Sequence, residues 1–396
     1  MMALEGIKVV EVAQVWAAPG AGMYLADQGA DVVKVEPLWG DEARRLLTQP
    51  AIASGESRAF LVLNRNKRGM ALDIACTEGQ DILYKLVDQA DVFIHNSRPG
   101  VDLKLGYDYD TLSQRNAELI YVDVSAFGKK GPYANLRGYD LLFQSLSGLL
   151  SKRYTPEGIP ISSGIWVADS STPMAVAYGV AVGLLARHRT GRGQRVEASL
   201  LHMALAMQSV DMVRVEHESP PQESAADFST QALFSPYRCR DGKFLILVVL
   251  NDAQFASMCH ALELEHLIDD PNFGGYEKRA RRSQELYDLI GGILSTRDRD
   301  DWLAVLERHD VPTGPVLERD EVFEHPQITA NDMFIRREHP EAGQVEMLDI
   351  PIRLSDTPGS IRRPAPTLGE HTEEVLLELG YNAVRIQQLR EQKVIG

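Results

Sequence analysis

The chain has 396 residues, 44% of them hydrophobic and 24% charged, with a formal net charge of -15. This is the composition of an ordinary globular protein, long enough for two domains and a substantial buried core. The acidic balance argues against a general nucleic-acid or anionic-membrane binder, because both rely on a basic electrostatic footprint.

Strand and helix signals alternate through the first half. Residues 7–12 read as a short apolar strand, 19–28 as a helix and 31–36 as a second strand. Further strands are expected at 69–74, 91–95 and 119–125, with a helix opening at Thr77 as N-cap and Glu78 in its first turn. This β-α-β alternation predicts an α/β fold: a large, doubly wound, mostly parallel sheet of Rossmann type with helices on both faces. From Asp140 helical patterns dominate, at 140–150, 173–188 and 199–213. The polar stretch 217–227 (HESPPQESAAD) reads as a linker or mobile loop. Beyond it, 237–240 and 243–250 flank Asp241-Gly242, a two-residue hairpin signal. Amphipathic helices at 253–262, 281–294 and 298–309 complete a smaller α+β domain. The large domain is placed at 1–224 and completed by 326–396; the small one spans 225–325. A last helix, 372–379, is expected to return to the large domain.

Cys76, Cys239 and Cys259 are far apart and form no C-x-x-C pair, which indicates neither a zinc site nor a disulfide framework and fits a reducing, cytoplasmic setting. Ten histidines are scattered without metal-ligand spacing, so no metal is expected. Residues 1–9 carry an acidic residue and a strand-like pattern rather than a leader-like one. The longest apolar stretch, 173–187, is short and rich in small residues, so it reads as a buried helix with no membrane role.

Gly20-Ala21-Gly22, followed by a strand ending at Glu36, imitates a dinucleotide fingerprint. Leu25 occupies the third glycine position, the six residues Gln14 to Pro19 intervene before Gly20 so the turn is not tight, and Pro19 looks like a first-turn helix residue. The glycines are therefore read as close-packing positions, against a nicotinamide-dependent oxidoreductase. Asp169 follows the extended apolar run 164–168 and precedes a helix expected from Pro173, with Ser170, Ser171 and Thr172 as available caps. On these residues alone it is either a helix-capping group or a carboxylate that the helix start keeps ionised and nucleophilic.

Several segments together resemble the class III CoA-transferase (CaiB/BaiF) family. They include Leu4-Glu5-Gly6-Ile7-Lys8-Val9, Ala30-Asp31-Val32-Val33-Lys34-Val35-Glu36, Asn64-Arg65-Asn66-Lys67-Arg68 and Asn96-Ser97-Arg98-Pro99-Gly100. Later come Gly106-Tyr107, Ser125-Ala126-Phe127-Gly128, Gly131-Pro132-Tyr133, Gly138-Tyr139-Asp140, Asp169, the run from His188 to Gln194, and Leu368-Gly369-Glu370-His371-Thr372. The resemblance implies an interlocked homodimer of ring-like subunits. It also implies transfer of coenzyme A from an acyl-CoA to a carboxylic acid in acyl-CoA metabolism, with CoA as substrate and no permanently bound cofactor. Asp169 falls on the family's nucleophile. It would attack the thioester, form a mixed anhydride, take CoA as an aspartyl thioester and pass it on through a second anhydride, each anhydride preserving the activation without ATP.

By the same match Leu72, Asn96, Ser97, Arg98, Lys104 and Arg137 line the CoA path, Arg being suited to bidentate phosphate contact. Trp16 and Ala17 would face the thioester, and Asn64 to Arg68 either hold phosphate or cover a sheet edge. Pro37 and Ala75 fall where some relatives place basic phosphate contacts, so the clamp differs here. The fold also includes α-methylacyl-CoA racemases, whose catalytic histidine would fall on Tyr139; a phenol with pKa near 10 is a poor neutral-pH base. Asp140 is either a substrate-orienting group or the N-cap of its own helix. The remaining alternative is a CoA-binding protein without catalysis. No glycine-rich loop lies between Gln208 and Phe244, which disfavours a small oxalate-type acceptor and leaves dicarboxylates, branched or aromatic acids and carnitine-like acids open.

Overall fold

In a computed structural model the structure describes residues 1–46, 57–217 and 232–396. The chain divides into two compact units, Met1–Val213 with Asp332–Gly396, and Arg214–Asn331. The expected domain change at 224–225, and the stretch 217–227 from residue 218 onward, lie outside the described residues.

The first unit opens with β1 (Lys8–Val12), α1 (Ala17–Asp27), β2 (Asp31–Glu36), α2 (Arg58–Leu63), β3 (Arg68–Ala71), α3 (Thr77–Val87) and β4 (Val92–His95). It continues with α4 (Val101–Lys104), α5 (Tyr109–Arg115), β5 (Ile120–Ser125), α6 (Asp140–Leu146), α7 (Val167–Thr190), β6 (Gln194–Ser199) and α8 (Leu200–Ala206). The six strands pair in parallel in the order β3-β2-β1-β4-β5-β6, the doubly wound arrangement. Strand periodicity explains both faces. Val9, Val32, Val92, Ile94, Ile120 and Val122 pack with α1 and α7, whereas Val10, Val33, Phe93 and Tyr121 pack with residues of α3 and the C-terminal helices.

In the second unit β7 (Pro236–Arg238) and β8 (Phe244–Leu247) form the antiparallel hairpin expected around Asp241-Gly242. The elements α9 (Asp252–Ala261), α10 (Tyr276–Arg281), α11 (Ser283–Leu294), α12 (Arg299–Arg308), β9 (Thr313–Val316), α13 (Arg319–Glu324) and α14 (Pro326–Ala330) complete it. The chain then adds to the first unit β10 (Phe334–His339), β11 (Gly343–Leu348), α15 (Thr372–Glu378) and α16 (Ala383–Glu391). Strand β6 and the β10–β11 hairpin lie in segments where no strand is expected from the sequence, and α15 is followed by a further helix. The C-terminus docks on β3, with Gly396 N–H donating to Ala71 O at 3.2 Å. No helix among the described residues is long and apolar enough to cross a membrane.

The helix boundaries correct three expectations around Asp169. α7 starts at Val167, so Asp169 lies in its first turn and Pro173 in its interior. Ser171 and Thr172 do not cap it; their hydroxyls donate back to Val167 O and Ala168 O, each at 2.7 Å. Pro173 has no N–H to donate to the Asp169 carbonyl, a gap in the helix ladder. It lies against α1, where a Cβ on Gly20 would meet Pro173 Cγ at 2.7 Å. A side chain at Gly22 would overlap the Glu11 carboxylate. Both glycines thus sit inside a helix as close-packing positions. Thr77 is the first residue of α3, and Cys76 takes the cap position.

Candidate functional site

The C-terminal ends of the parallel strands open onto a cavity of about 500 Å³. Its walls are 12–15 after β1, 35–39 after β2, 72–75 after β3, 96–99 after β4, 124–126 after β5 and 136–139 ahead of α6. This crevice lies across the point where strand order reverses about β1, the ordinary ligand position in an open α/β sheet.

The turn from β1 to α1 is held from three sides. The Asn96 carboxamide accepts from Gln14 N–H at 3.0 Å and donates to Gln14 O at 2.7 Å. Asp41 accepts from Val15 N–H at 3.0 Å, and the Lys34 ammonium donates to Ala13 O at 2.8 Å. Val15 has φ of 72°, a left-handed backbone that a β-branched residue adopts only under constraint. Beneath the turn, Glu11, Lys34 and Lys67 are fully buried. Glu11 pairs with Lys34 at 3.2 Å and Lys67 at 2.8 Å, and Lys67 also donates to Pro19 O at 2.8 Å. Burial pulls the Lys67 pKa down to about 8 against the raising effect of Glu11.

The basic motif Asn64 to Arg68 is spent internally. Arg65 pairs with Asp27 at 2.7 Å, Lys67 with Glu11, and Arg68 with Asp31 at 2.6 Å and Glu378 at 2.8 Å. Its three cations are thus committed to protein carboxylates. Glu36 is likewise engaged by Arg44 through both oxygens at 2.8 Å, which removes the acidic group a dinucleotide ribose would need. By contrast, Arg98 and Arg137 are exposed cavity-wall residues whose side chains make no hydrogen bond or ion pair among the described residues. Lys104 is equally exposed at the end of α4 but does not line the cavity.

The other expected CoA-path residues divide. Leu72 and Ser97 line the wall, Ser97 Oγ lying 2.6 Å from Tyr107 Oη. Asn96 lines it too, but its carboxamide is committed to Gln14. Trp16 and Ala17 border the wall residues Gln14 and Val15 without lining the cavity themselves. Trp39, which sequence reasoning missed, stands exposed on the wall. Its signal was a lone aromatic in a Pro37-Leu38-Trp39-Gly40 turn, where no core position calls for one. His95, Asp102 and Asp123 bring potential ligand atoms within 4.8 Å of one another. Asp123 is already paired with Lys129 and Arg195, so its charge is neutralised by protein cations rather than offered to a metal.

Tyr139 lines the cavity and is largely exposed, and Asp140 next to it is only 1% exposed. Asp140 neither caps its own helix nor faces the cavity. Its Oδ2 accepts from Asp169 N–H at 3.0 Å and its Oδ1 accepts from Gln144, so it caps α7 across space. This explains a second correction. The expectation of a readily ionised Asp169 fails, because burial, reinforced by the Asp140 charge, pushes its pKa up to about 7. Desolvation outweighs the helix start here. Asp169 thus combines carboxylate basicity near neutral pH with partial access, the combination a nucleophile needs.

Comparison with known proteins gives concordant results. The family model for CoA-transferase family III matches residues 4–372. An acyl-CoA transferase of Fusarium pseudograminearum is 33% identical, covering 99% of this chain and 88% of its own. A succinate–glutarate CoA-transferase of Agrobacterium fabrum is 34% identical over 95% of both chains. The crystal structure of a CaiB/BaiF family protein from Brucella suis matches with a TM-score of 0.82 at 32% identity, over 96% of this chain and 99% of that one.

Proposed function

The chain belongs to CoA-transferase family III, and we propose that it passes CoA from an acyl-CoA to a second carboxylic acid through a thioester on Asp169. It is a CoA-transferase; the covalent route is our reading. The observation that carries it is the Asp169 carboxylate, raised to about 7 and flanked by the Tyr139-Asp140 pair that joins it to the cavity wall.

The ionised Asp169 oxygen attacks the thioester carbonyl, the C–S bond breaks, and CoA leaves as thiolate. The thiolate attacks the Asp169 carbonyl of the mixed anhydride, and the donor acid leaves as carboxylate. An acceptor carboxylate then attacks the aspartyl thioester, CoA thiolate leaves again and captures the acceptor acyl group, and Asp169 is restored. A higher pKa makes a carboxylate a better nucleophile, provided the pH keeps it ionised. Tyr139 on the neighbouring wall offers a hydroxyl donor suited to a substrate carboxylate. The test is a panel of acyl-CoA donors with acceptor acids in deuterated buffer, beginning with four- and five-carbon dicarboxylic acids. New acyl-CoA without deuterium at the α-carbon supports transfer; α-exchange without a new thioester supports a racemase instead.

We assign the CoA phosphates to Arg98 and Arg137, the unpartnered cations of the wall. Loss of either charge-assisted contact is worth about 2 kcal/mol. Arg98→Ala and Arg137→Ala should therefore each raise the acyl-CoA KM by about thirtyfold. With an acyl-pantetheine lacking those phosphates, each variant should match the unmodified enzyme.

Met174, Tyr178, Val182 and Leu185 form an exposed apolar stripe on α7, at the three- and four-residue spacing that shares one helix face. We propose that a second copy covers it, in the interlocked homodimer that the family resemblance implies. Light scattering should give twice the chain mass, and Tyr178→Glu should shift it toward one.

A further inference from the structure

Gln144 lies one turn after Asp140 on α6 and is 1% exposed. Its side-chain amide is saturated, and every bond points toward the entry of α7. Nε2 donates to Asp140 Oδ1 and to Ile165 O at 2.9 Å. Oε1 accepts from Ser163 N–H at 3.2 Å and Ser163 Oγ at 3.1 Å. A buried carboxamide with two donors and one two-lone-pair oxygen can do no more than this. The result is a relay: Gln144 fixes Asp140, and Asp140 fixes the Asp169 backbone at 3.0 Å. The same amide ties down the turn 163–165 that leads into the helix.

We propose that Gln144 is a positioning residue for Asp169, acting through Asp140 and through the 163–165 turn without touching substrate. The proposal rests on the reading of Asp169 as nucleophile. Without the Gln144 donor, Asp140 Oδ1 is a buried acceptor with nothing to accept, and the carboxylate rotates. That rotation releases the amide that sets the height of Asp169. Few other charges face that group. α1 carries only Asp27, paired with Arg65; α8 carries only the exposed His202. β5 contributes Asp123, paired with Arg195, and β6 contributes Arg195 and Glu197, which pair at 3.0 Å. Asp140 is therefore the charge through which this relay acts on Asp169.

The test compares Gln144→Met and Asp140→Asn in the full-length enzyme by steady-state kinetics from pH 5.5 to 9. Gln144→Met keeps most of the side-chain volume and removes all four bonds. Its kcat should fall between about tenfold and a hundredfold, the effect of a misplaced nucleophile, with the acyl-CoA KM within about threefold. Asp140→Asn keeps an acceptor for Asp169 N–H but removes the charge, so the acid limb of kcat should move to lower pH by a few tenths to one unit. A Gln144→Met enzyme with kcat within twofold of the parent overturns the proposal, as does an unmoved acid limb in Asp140→Asn. If Gln144→Met does not fold, the Asp140→Asn limb decides alone. Failure of the underlying reading looks different, because there Asp169→Ala itself would still transfer CoA.

Discussion

Asp169→Ala should reduce CoA transfer by a factor on the order of 10⁴ or more while leaving acyl-CoA binding within a few-fold. On the covalent reading this removes the route itself, whereas the cavity wall we assign to CoA does not include Asp169. The isosteric Asp169→Asn should also be more stable than the parent enzyme, and the sign follows from the carboxyl. Its pKa rises from an ordinary 3.8 unfolded to about 7 folded, through burial first and the Asp140 charge second. Between those values the folded chain holds a proton that the unfolded chain releases, so stability falls as pH rises through that window and stays low above it. Removing the carboxyl should therefore raise the Tm most at pH 8 and hardly at all at pH 4. The gain is on the order of 2 kcal/mol, less than full linkage because Asp169 keeps some contact with water. Thermal unfolding at the two pH values checks it. A buried carboxyl that destabilises its own fold is the trade between stability and activity expected of the proposed nucleophile.

Glu11→Gln should lower stability by about 3–5 kcal/mol, the usual penalty for stranding a buried charge. Glu11 is the shared anion of two lysines that are themselves fully buried, and Lys67 already holds its proton only weakly. Lys34 retains Asp41 at 2.8 Å, so the unpaired charge falls mainly on Lys67. The double variant Glu11→Gln/Lys67→Met should regain a large part of the loss, since it removes that stranded ammonium. A double variant no more stable than Glu11→Gln would sink this account of the network. Because Lys34 and Asp41 hold Ala13 O and Val15 N–H, and Lys67 holds Pro19 O, the network also shapes the strained turn at the cavity floor.

The parallel strands were legible because each is a short apolar run buried on both faces; β2 matches its expected bounds residue for residue. Strand β6 escaped notice because QRVEAS is polar and only half-buried at the sheet edge, so it offers no continuous apolar run. The start of α7 was misplaced because Pro173 reads as a first-turn residue, whereas packing against Gly20 keeps it in the helix interior. The basic motif Asn64 to Arg68 looked like a phosphate loop; its partners Asp27, Glu11, Asp31 and Glu378 lie up to hundreds of residues away, and no local pattern announces them. The same holds for Asp140. Its role as a cap depends on a helix 29 residues further on, so neither local reading could reach it. Asp169 itself was located by the order of motifs around it, and its raised pKa came only from three-dimensional burial and a neighbour on another helix.

The covalent claim is tested most directly on the Asp169 peptide. The enzyme is incubated with acyl-CoA alone at pH 8, treated with hydroxylamine, digested and analysed by mass spectrometry. The account predicts a hydroxamate on Asp169, formed only when acyl-CoA is present and lost in Asp169→Ala. Turnover with an unmodified Asp169, or an equally active Asp169→Ala enzyme, would contradict it.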